Sequence, residues 1–549
     1  MSLHPRFIAD VPEETVRVAR AAFRKGNRVM QMRDELGTLF TGEQFVDLFP
    51  NMGQPAESPW RLALVTILQF AENLTDRQAA DAERGRIDWK YALSLELTDE
   101  GFDFSVLTEF RTRLASSGAE ARLFQIMLTQ FEARGWLKAR GKQRTDSTHI
   151  LAAVHRLNQF ELVHETLRHA LNELAFQASG WLKQRVTADW FERYSQRTSS
   201  YLLPKKERER QAWAEQVGRD GIGLLEHLYH DAQAAELVKL PAVTVLWQVW
   251  LQNFYQEDRH VRLREAKDQP PSAQRIASPY DVEARFSTKR DVSWTGYKVH
   301  LTETCDSDFP HLIVNVETRS STEPDHAATP IVQDHLAQKG CLPAEHFVDQ
   351  DYMSVEQLAH AREQHQIELM GAVPDDNSWQ VRQSGYDSRH FSIDWEHTSA
   401  LCPQGKHSCS WSLAKTRSER PVVKIKFRHA DCSVCPVIAL CTDNHEQRRT
   451  LSILFPQSHY ETQQWARQRQ QTPEFRAQCA TRAGVEGTIS QVAVALGARR
   501  SRYRGKTKTH FQHLVTAAAI NLLRVLDWLH EVPRTTTPKS HFARLAVGV

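Results

Sequence analysis

The chain has 549 residues, with 69 Lys and Arg against 67 Asp and Glu, 41% hydrophobic and 25% charged residues. At roughly one domain per 150 residues it is too long for a single core, and its composition is globular rather than disordered or fibrous. A formal net charge of +2 excludes a polycation, so any nucleic-acid affinity must arise from how charge is distributed.

In chain order, the opening MSLHPRFIADVPEE lacks the basic-then-apolar pattern of an export leader. Residues 1–135 read as a helical domain. SPWRLALVTILQF starts with Ser58 as N-cap and Pro59 in the first turn, and SVLTEFRTRLA ends near Gly118. In 136–156 a basic run (Lys138, Arg140, Lys142, Arg144) leads into Asp146 and then into the apolar and β-branched residues of a strand. Cationic neighbours favour an ionised carboxylate there. Residues 157–275 are helix-patterned and carry Trp181, Trp190, Trp213, Trp247 and Trp250, read as core; Pro270, Pro271 and Pro279 close the segment as a linker.

The texture changes in 276–400. WTGYKVHLTETCD and HLIVNVET alternate around a turn as a hairpin, followed by a helix at 325–339, the strand HFVD, a helix at 354–366 and the strand IELMGAV. Trp294 reads as cross-strand packing, and His300 as a polar-face surface histidine. Strands alternating with helices predict one α/β core with a long helical insertion. A Cys-rich stretch at 401–450 and a segment at 451–549 complete the chain. The stretch HLVTAAAINLLRVLDWL is interrupted by Asn521, Arg524 and Asp527 and reads as a packed helix, not a membrane span. The expected compartment is the cytoplasm, where the eight cysteines are thiols or metal ligands rather than disulfides.

Three acids stand out by position. Asp146 follows a strand start, Asp349 ends HFVD, and Glu486 lies in RAGVEGTISQ on a late helix. Asp351, two residues beyond Asp349, shares its face if the strand continues. Strand-end acids can converge at a sheet edge, and three carboxylates with open positions suit hard Mg²⁺ or Mn²⁺. In the Cys-rich stretch, Cys432 and Cys435 form a C-x2-C pair that Cys402 and Cys441 complete to a four-cysteine zinc site, with Cys409 or His407 as substitutes. Such an ion staples an insert that lacks a large core and has no catalytic role.

TDST, VDQDY and RAGVEGTISQVAVALGARRSRYRGKTKTHFQHLVTAAAINLLRVLDWL together resemble the DDE transposases of bacterial insertion sequences, and the similarity extends to the helical N-terminus and the Cys-rich insert. The resemblance implies an RNase H-like mixed-sheet catalytic core that cuts and rejoins DNA at transposon ends with two divalent cations. It assigns Asp146, Asp349 and Glu486 as ligands, favours Asp349 over Asp351, and makes 1–135 a DNA-binding domain. It also implies double-stranded DNA with terminal inverted repeats as partner, a homodimer on that DNA, and association with the nucleoid. Many members carry Y-x2-R-x3-E-x6-K around the glutamate; here Arg482 matches, while the Tyr and Lys positions hold Cys479 and Ala493.

RRSRYRGKTK then supplies six cations, Arg499, Arg500, Arg502, Arg504, Lys506 and Lys508, with no acid between them. They are the expected contacts to phosphate, together with Arg482, for which a plain i,i+4 ion pair with Glu486 is an equal reading. A second reading of the same residues is a catalytically silent DNA-binding protein of the same fold, and a third is a nuclease that cuts without joining.

Overall fold

The computed structural model describes residues 2–533 apart from 4, 6, 198–202, 259 and 444–447. Parts of the last two expected segments, 444–447 and 534–549, lie outside the described residues. The chain divides into two compact units, one of 1–138, 146–323 and 485–549, the other of 139–145 and 324–484.

Thirteen strands are defined among the described residues: β1 (Lys142–Leu151), β2 (Phe254–Glu257), β3 (His260–Leu263), β4 (Arg285–Lys289), β5 (Val292–Thr304), β6 (Ile313–Ser320), β7 (Glu345–Phe347), β8 (Glu368–Met370), β9 (Ser392–Asp394), β10 (Ser399–Leu401), β11 (Ser408–Lys415), β12 (Pro421–Phe427) and β13 (Thr450–Leu454). The mixed sheet among them, with helices around it, is the α/β architecture expected from the alternating pattern.

In the first unit the strand order is β4-β5-β1, with β6 also on β5. β5 and β6 pair antiparallel from Tyr297↔Ser320 to Glu303↔Ile313, as the alternation predicts. Gly296 permits the approach of β5 to β1: a Cβ there would lie 2.1 Å from the Ile150 carbonyl oxygen. Against β6 and the helix Pro59–Ala71 lies the helix Lys506–Leu529, buried along most of its length. The polar residues that interrupt its apolar run each have a partner. Asn521 clasps both backbone groups of Ile313 at 2.7 Å, Arg524 bonds to Glu303 at 2.6 Å, and Asp527 pairs with Arg28 at 2.8 Å. No single helix among the described residues is long and apolar enough to cross a membrane.

The helical insertion is built on Gln159–Lys183, Glu207–His230 and Pro241–Asn253. Asn158 and Glu161 form a capping box at its start. Its core gathers Leu167, Leu174, Val217, Leu224, Leu246 and Trp250, with Trp181, Trp190 and Trp213 packed against it. Gly218 and Gly221 make room for aromatic rings; a Cβ on Gly221 would lie 2.2 Å from Trp250. Trp247 departs from the expected core role and is 45% exposed. The β2–β3 hairpin closes the insertion, a pairing that the helical pattern did not announce.

His300 corrects its sequence reading: it is 1% exposed. Both faces of β5 are covered along most of its length, so alternation there does not separate core from solvent. Trp294 is buried, its ring 5.1 Å from that of His149.

In the second unit, Lys142–Arg144 pair parallel with β7, and β7 pairs parallel with β8. The helices Ala328–Gln338 and Val355–His365 occupy the positions expected for 325–339 and 354–366. Val348, Tyr352, Leu358, Ile367 and Leu369 form the local core. A separate three-stranded sheet, β11-β12-β13, carries the Cys-rich stretch.

Candidate functional site

Asp146 lies half-buried within β1, its Oδ1 accepting the Ser147 amide at 2.7 Å. Asp349 sits two residues past the end of β7, also half-buried, and accepts the Gln350 amide at 2.8 Å as it caps the 3₁₀ turn Gln350–Tyr352. Each carboxylate is thus oriented by the amide that follows it. Asp351 falls inside that turn and is exposed, so the strand geometry that made it an alternative to Asp349 ends before it. Asp146 and Glu486 belong to the first unit, Asp349 to the second.

Glu486 is the second residue of the short helix Val485–Ser490, which continues as a π-helical turn, Gln491–Ala495. The helix is anchored from its inner side. The Thr488 hydroxyl donates to the fully buried carboxylate of Glu303. Arg524 spans the same group, donating to Glu303 at 2.6 Å, to Thr488 at 2.6 Å, to Gln491 at 3.2 Å and to the His311 carbonyl at 2.7 Å. Two residues along a helix is about 200° of rotation. With Thr488 facing inward, Glu486 faces out and is exposed.

The glycine before this helix has a physical reason. Arg144, buried in β1, donates to the Thr481 carbonyl at 2.8 Å, and a Cβ on Gly484 would fall 2.0 Å from its guanidinium nitrogen. Gly487 faces open space. Arg482 lies half-buried in the 3₁₀ turn Ala480–Gly484. The rest of the basic run before Asp146 is committed elsewhere: Lys138 pairs with Asp306, Lys142 with Glu345, and Arg140 donates to the carbonyls of His365 and Gln366.

The late cationic run divides. Arg499 turns into the protein, donating to Thr148 at 2.6 Å and the His149 carbonyl at 2.8 Å. Arg502 donates to Asn73 and the Leu74 carbonyl, both at 2.6 Å, and lies 4.6 Å from the centre of the Phe70 ring. Burial lowers the pKa of both guanidiniums from the usual arginine value. Arg500, Arg504, Lys506 and Lys508 are exposed. The sequence shows six equivalent cations; only contacts remote in the chain separate those that brace the fold from those that face solvent.

Cys402, Cys432, Cys435 and Cys441 line one pocket together with Tyr386, Phe427 and Arg449. The Lys406 amide donates to the Cys402 sulfur at 3.3 Å, across a tight turn in which Gly405 takes φ +76°. Amide-to-sulfur bonds of this kind orient and stabilise a thiolate ligand. Burial raises the Cys432 thiol and pushes that of Cys441 up to about 11. Cys409 stands exposed on β11.

A transposase DDE domain matches residues 401–526, and a transposase domain of the DUF772 type matches residues 17–113. The first spans the cysteine pocket, Glu486 and the late cationic run; the second spans the N-terminal helices. Both matches are to transposase domains, and together they indicate a DDE transposase of insertion-sequence type. A DDE domain of this kind implies a DNA-cleaving enzyme with an RNase H-like fold, dependence on a divalent metal and a DNA substrate with terminal repeats. No curated protein and no solved structure matches it.

Proposed function

We propose that this transposase cuts and rejoins DNA at insertion-sequence ends by metal-dependent phosphoryl transfer, with Asp146, Asp349 and Glu486 holding Mg²⁺ or Mn²⁺. The observation that carries the reading is the DDE-domain match across Glu486 and the exposed cations. Three carboxylates at half-buried or exposed positions are a hard-oxygen donor set, which fits these ions. When bound, a cation pair supplies activation of the attacking hydroxyl and stabilisation of the leaving oxygen.

The protein's own groups do the positioning. The amides of Ser147 and Gln350 aim the two aspartates, and the Thr488–Glu303–Arg524 network turns Glu486 outward. Arg500, Arg504, Lys506 and Lys508, with Arg482, take the phosphate backbone in this reading; Arg499 and Arg502 act as braces. Each phosphate neutralised steepens the salt dependence of binding by roughly one unit. The N-terminal helical domain contributes to gripping the DNA, and two copies work on paired ends. The four cysteines hold a structural Zn²⁺ that ties β10–β13 together. The enzyme acts in the cytoplasm, on the nucleoid.

The test is cleavage of a labelled duplex spanning the element ends, in Mg²⁺ and in EDTA, by wild type and Glu486→Gln. Nicks at the repeat boundary should need the metal and drop by more than about a hundredfold in the variant, while binding to the same duplex is retained. Binding without cleavage by the wild type would instead support the catalytically silent DNA binder.

A further inference from the structure

A second cluster of ligand-type side chains lies in the second unit, built from residues other than the carboxylates and cysteines discussed above. Asp334 is on the helix Ala328–Gln338, and His360 and His365 are on the helix Val355–His365, the two helices flanking β7 in sequence. One ligand atom from each of the three lies within 4.8 Å of the others. His365 Nε2 is 3.0 Å from Asp334 Oδ1, and the two imidazole rings are edge to face with centroids 5.5 Å apart. His360 Nε2 is buried and has no hydrogen-bond partner, an expensive state for a ring nitrogen inside a protein. His365 is only 11% exposed, whereas Asp334 opens the cluster to solvent at 53%.

We propose that Asp334, His360 and His365 form a binding site for a divalent transition-metal ion of the zinc class. Two imidazoles and one carboxylate are borderline donors that select such ions over Mg²⁺. Tetrahedral coordination with bonds of about 2.1 Å places donors about 3.4 Å apart, so a small closure of the cluster suffices. Coordination through His360 Nε2 would give that atom the partner it lacks, and the exposed side at Asp334 leaves room for water as the remaining ligand. Its consequence would be mechanical: the two helices on either side of the strand leading to Asp349 would be fastened to each other. The spacing His360 to His365 is five residues, not the i,i+4 of a helical ligand pair, and the third donor comes from another helix. No local pattern announces the site.

The experiment uses the full chain. Bound Zn²⁺ is measured by equilibrium dialysis for wild type, Asp334→Asn and the double variant His360→Ala/His365→Ala, and Co²⁺ spectra are recorded alongside. Thiolate-to-metal charge transfer in those spectra reports the cysteine pocket separately. The expected result is one fewer equivalent of Zn²⁺ in the double variant and about 10- to 100-fold weaker binding of that equivalent in Asp334→Asn, with the thiolate band unchanged. Melting temperatures without metal, unchanged by the substitutions, would show that folding is intact. Equal Zn²⁺ binding by all three proteins would overturn the site, and so would a loss that takes the thiolate band with it.

Discussion

The helical insertion and the Cys-rich stretch are of different length, and they are held together by different means. The insertion buries a broad apolar core threaded by aromatic rings and closed on two glycines. The Cys-rich sheet has a smaller cluster, centred on Phe391, Val423, Ile425, Phe427 and Leu451, with three of its four pocket cysteines packed at the margin. Apolar burial stabilises by about 25 cal/mol per Å², so a segment that encloses little area depends on some other tie. The comparison teaches that the insertion relies on buried area, whereas the Cys-rich sheet, with less of it, is where the proposed zinc staple would matter most.

The largest effect expected from breaking this contrast is metal removal. A strong chelator, or Cys432→Ser with Cys435→Ser, should collapse hydrogen-exchange protection in β11, β12 and β13 while the helix Gln159–Lys183 keeps its own. Equal protection in both regions after chelation would remove the zinc staple. In the other direction, Gly221→Leu should destabilise the helical insertion by about 3 kcal/mol or more, because the new side chain must displace the buried Trp250 ring. Denaturant unfolding should show that loss with and without zinc alike.

Acid separates the insertion from the strand β7 of the second unit by window. His346, fully buried in β7 of the second unit, has its pKa pulled down to about 4 by burial. It is neutral when folded and binds a proton more readily when unfolded, so its contribution is complete above about pH 6.5 and is lost progressively as pH falls toward 4. The total is up to about 3 kcal/mol. In the helical insertion burial favours the neutral form of Glu165, but the adjacent His164 ring and the hydrogen bonds from Arg168 and Tyr280 outweigh it and hold the carboxylate down at about 2. That contribution is intact above about pH 4.5 and fades only as pH drops through 2. Between pH 6.5 and 4.5, exchange protection should therefore fall around β7 and hold in the insertion; the reverse order would refute the assignment.

The smallest expected effect concerns zinc affinity. Burial raises the thiols of Cys441 and Cys432, so entry of the proposed zinc would release protons. Affinity should rise about tenfold per pH unit for each thiol that ionises, which calorimetry at pH 6.5 and 7.5 would measure.

Much of this arrangement is legible in the chain because its signals are local. The β5–β6 hairpin, the two helices that follow and the long late helix all show their periods directly. Asn521, Arg524 and Asp527, which interrupt the apolar run of the late helix, each find a partner in the fold. What escaped depends on contacts far apart in sequence. His300 is buried by a second covered face, Arg499 and Arg502 are drawn inward by Thr148 and Asn73, and the β2–β3 hairpin hides inside a helical pattern. The positions of Asp146, Asp349 and Glu486 could be named from the chain, but the anchor behind Glu486 could not. Glu303 and Thr488 are separated by 185 residues and carry no motif.

That anchor constrains how such an enzyme can change. Glu303 is fully buried, so losing Arg524 alone would remove the cation of a buried ion pair, at a cost of up to about 3–5 kcal/mol. Drift at one member of the trio is closed unless another moves with it, and related chains should exchange these positions together or keep all three. A search for more active variants should find its gains on the outward side of the helix Val485–Ser490 and almost none on the side that holds Thr488.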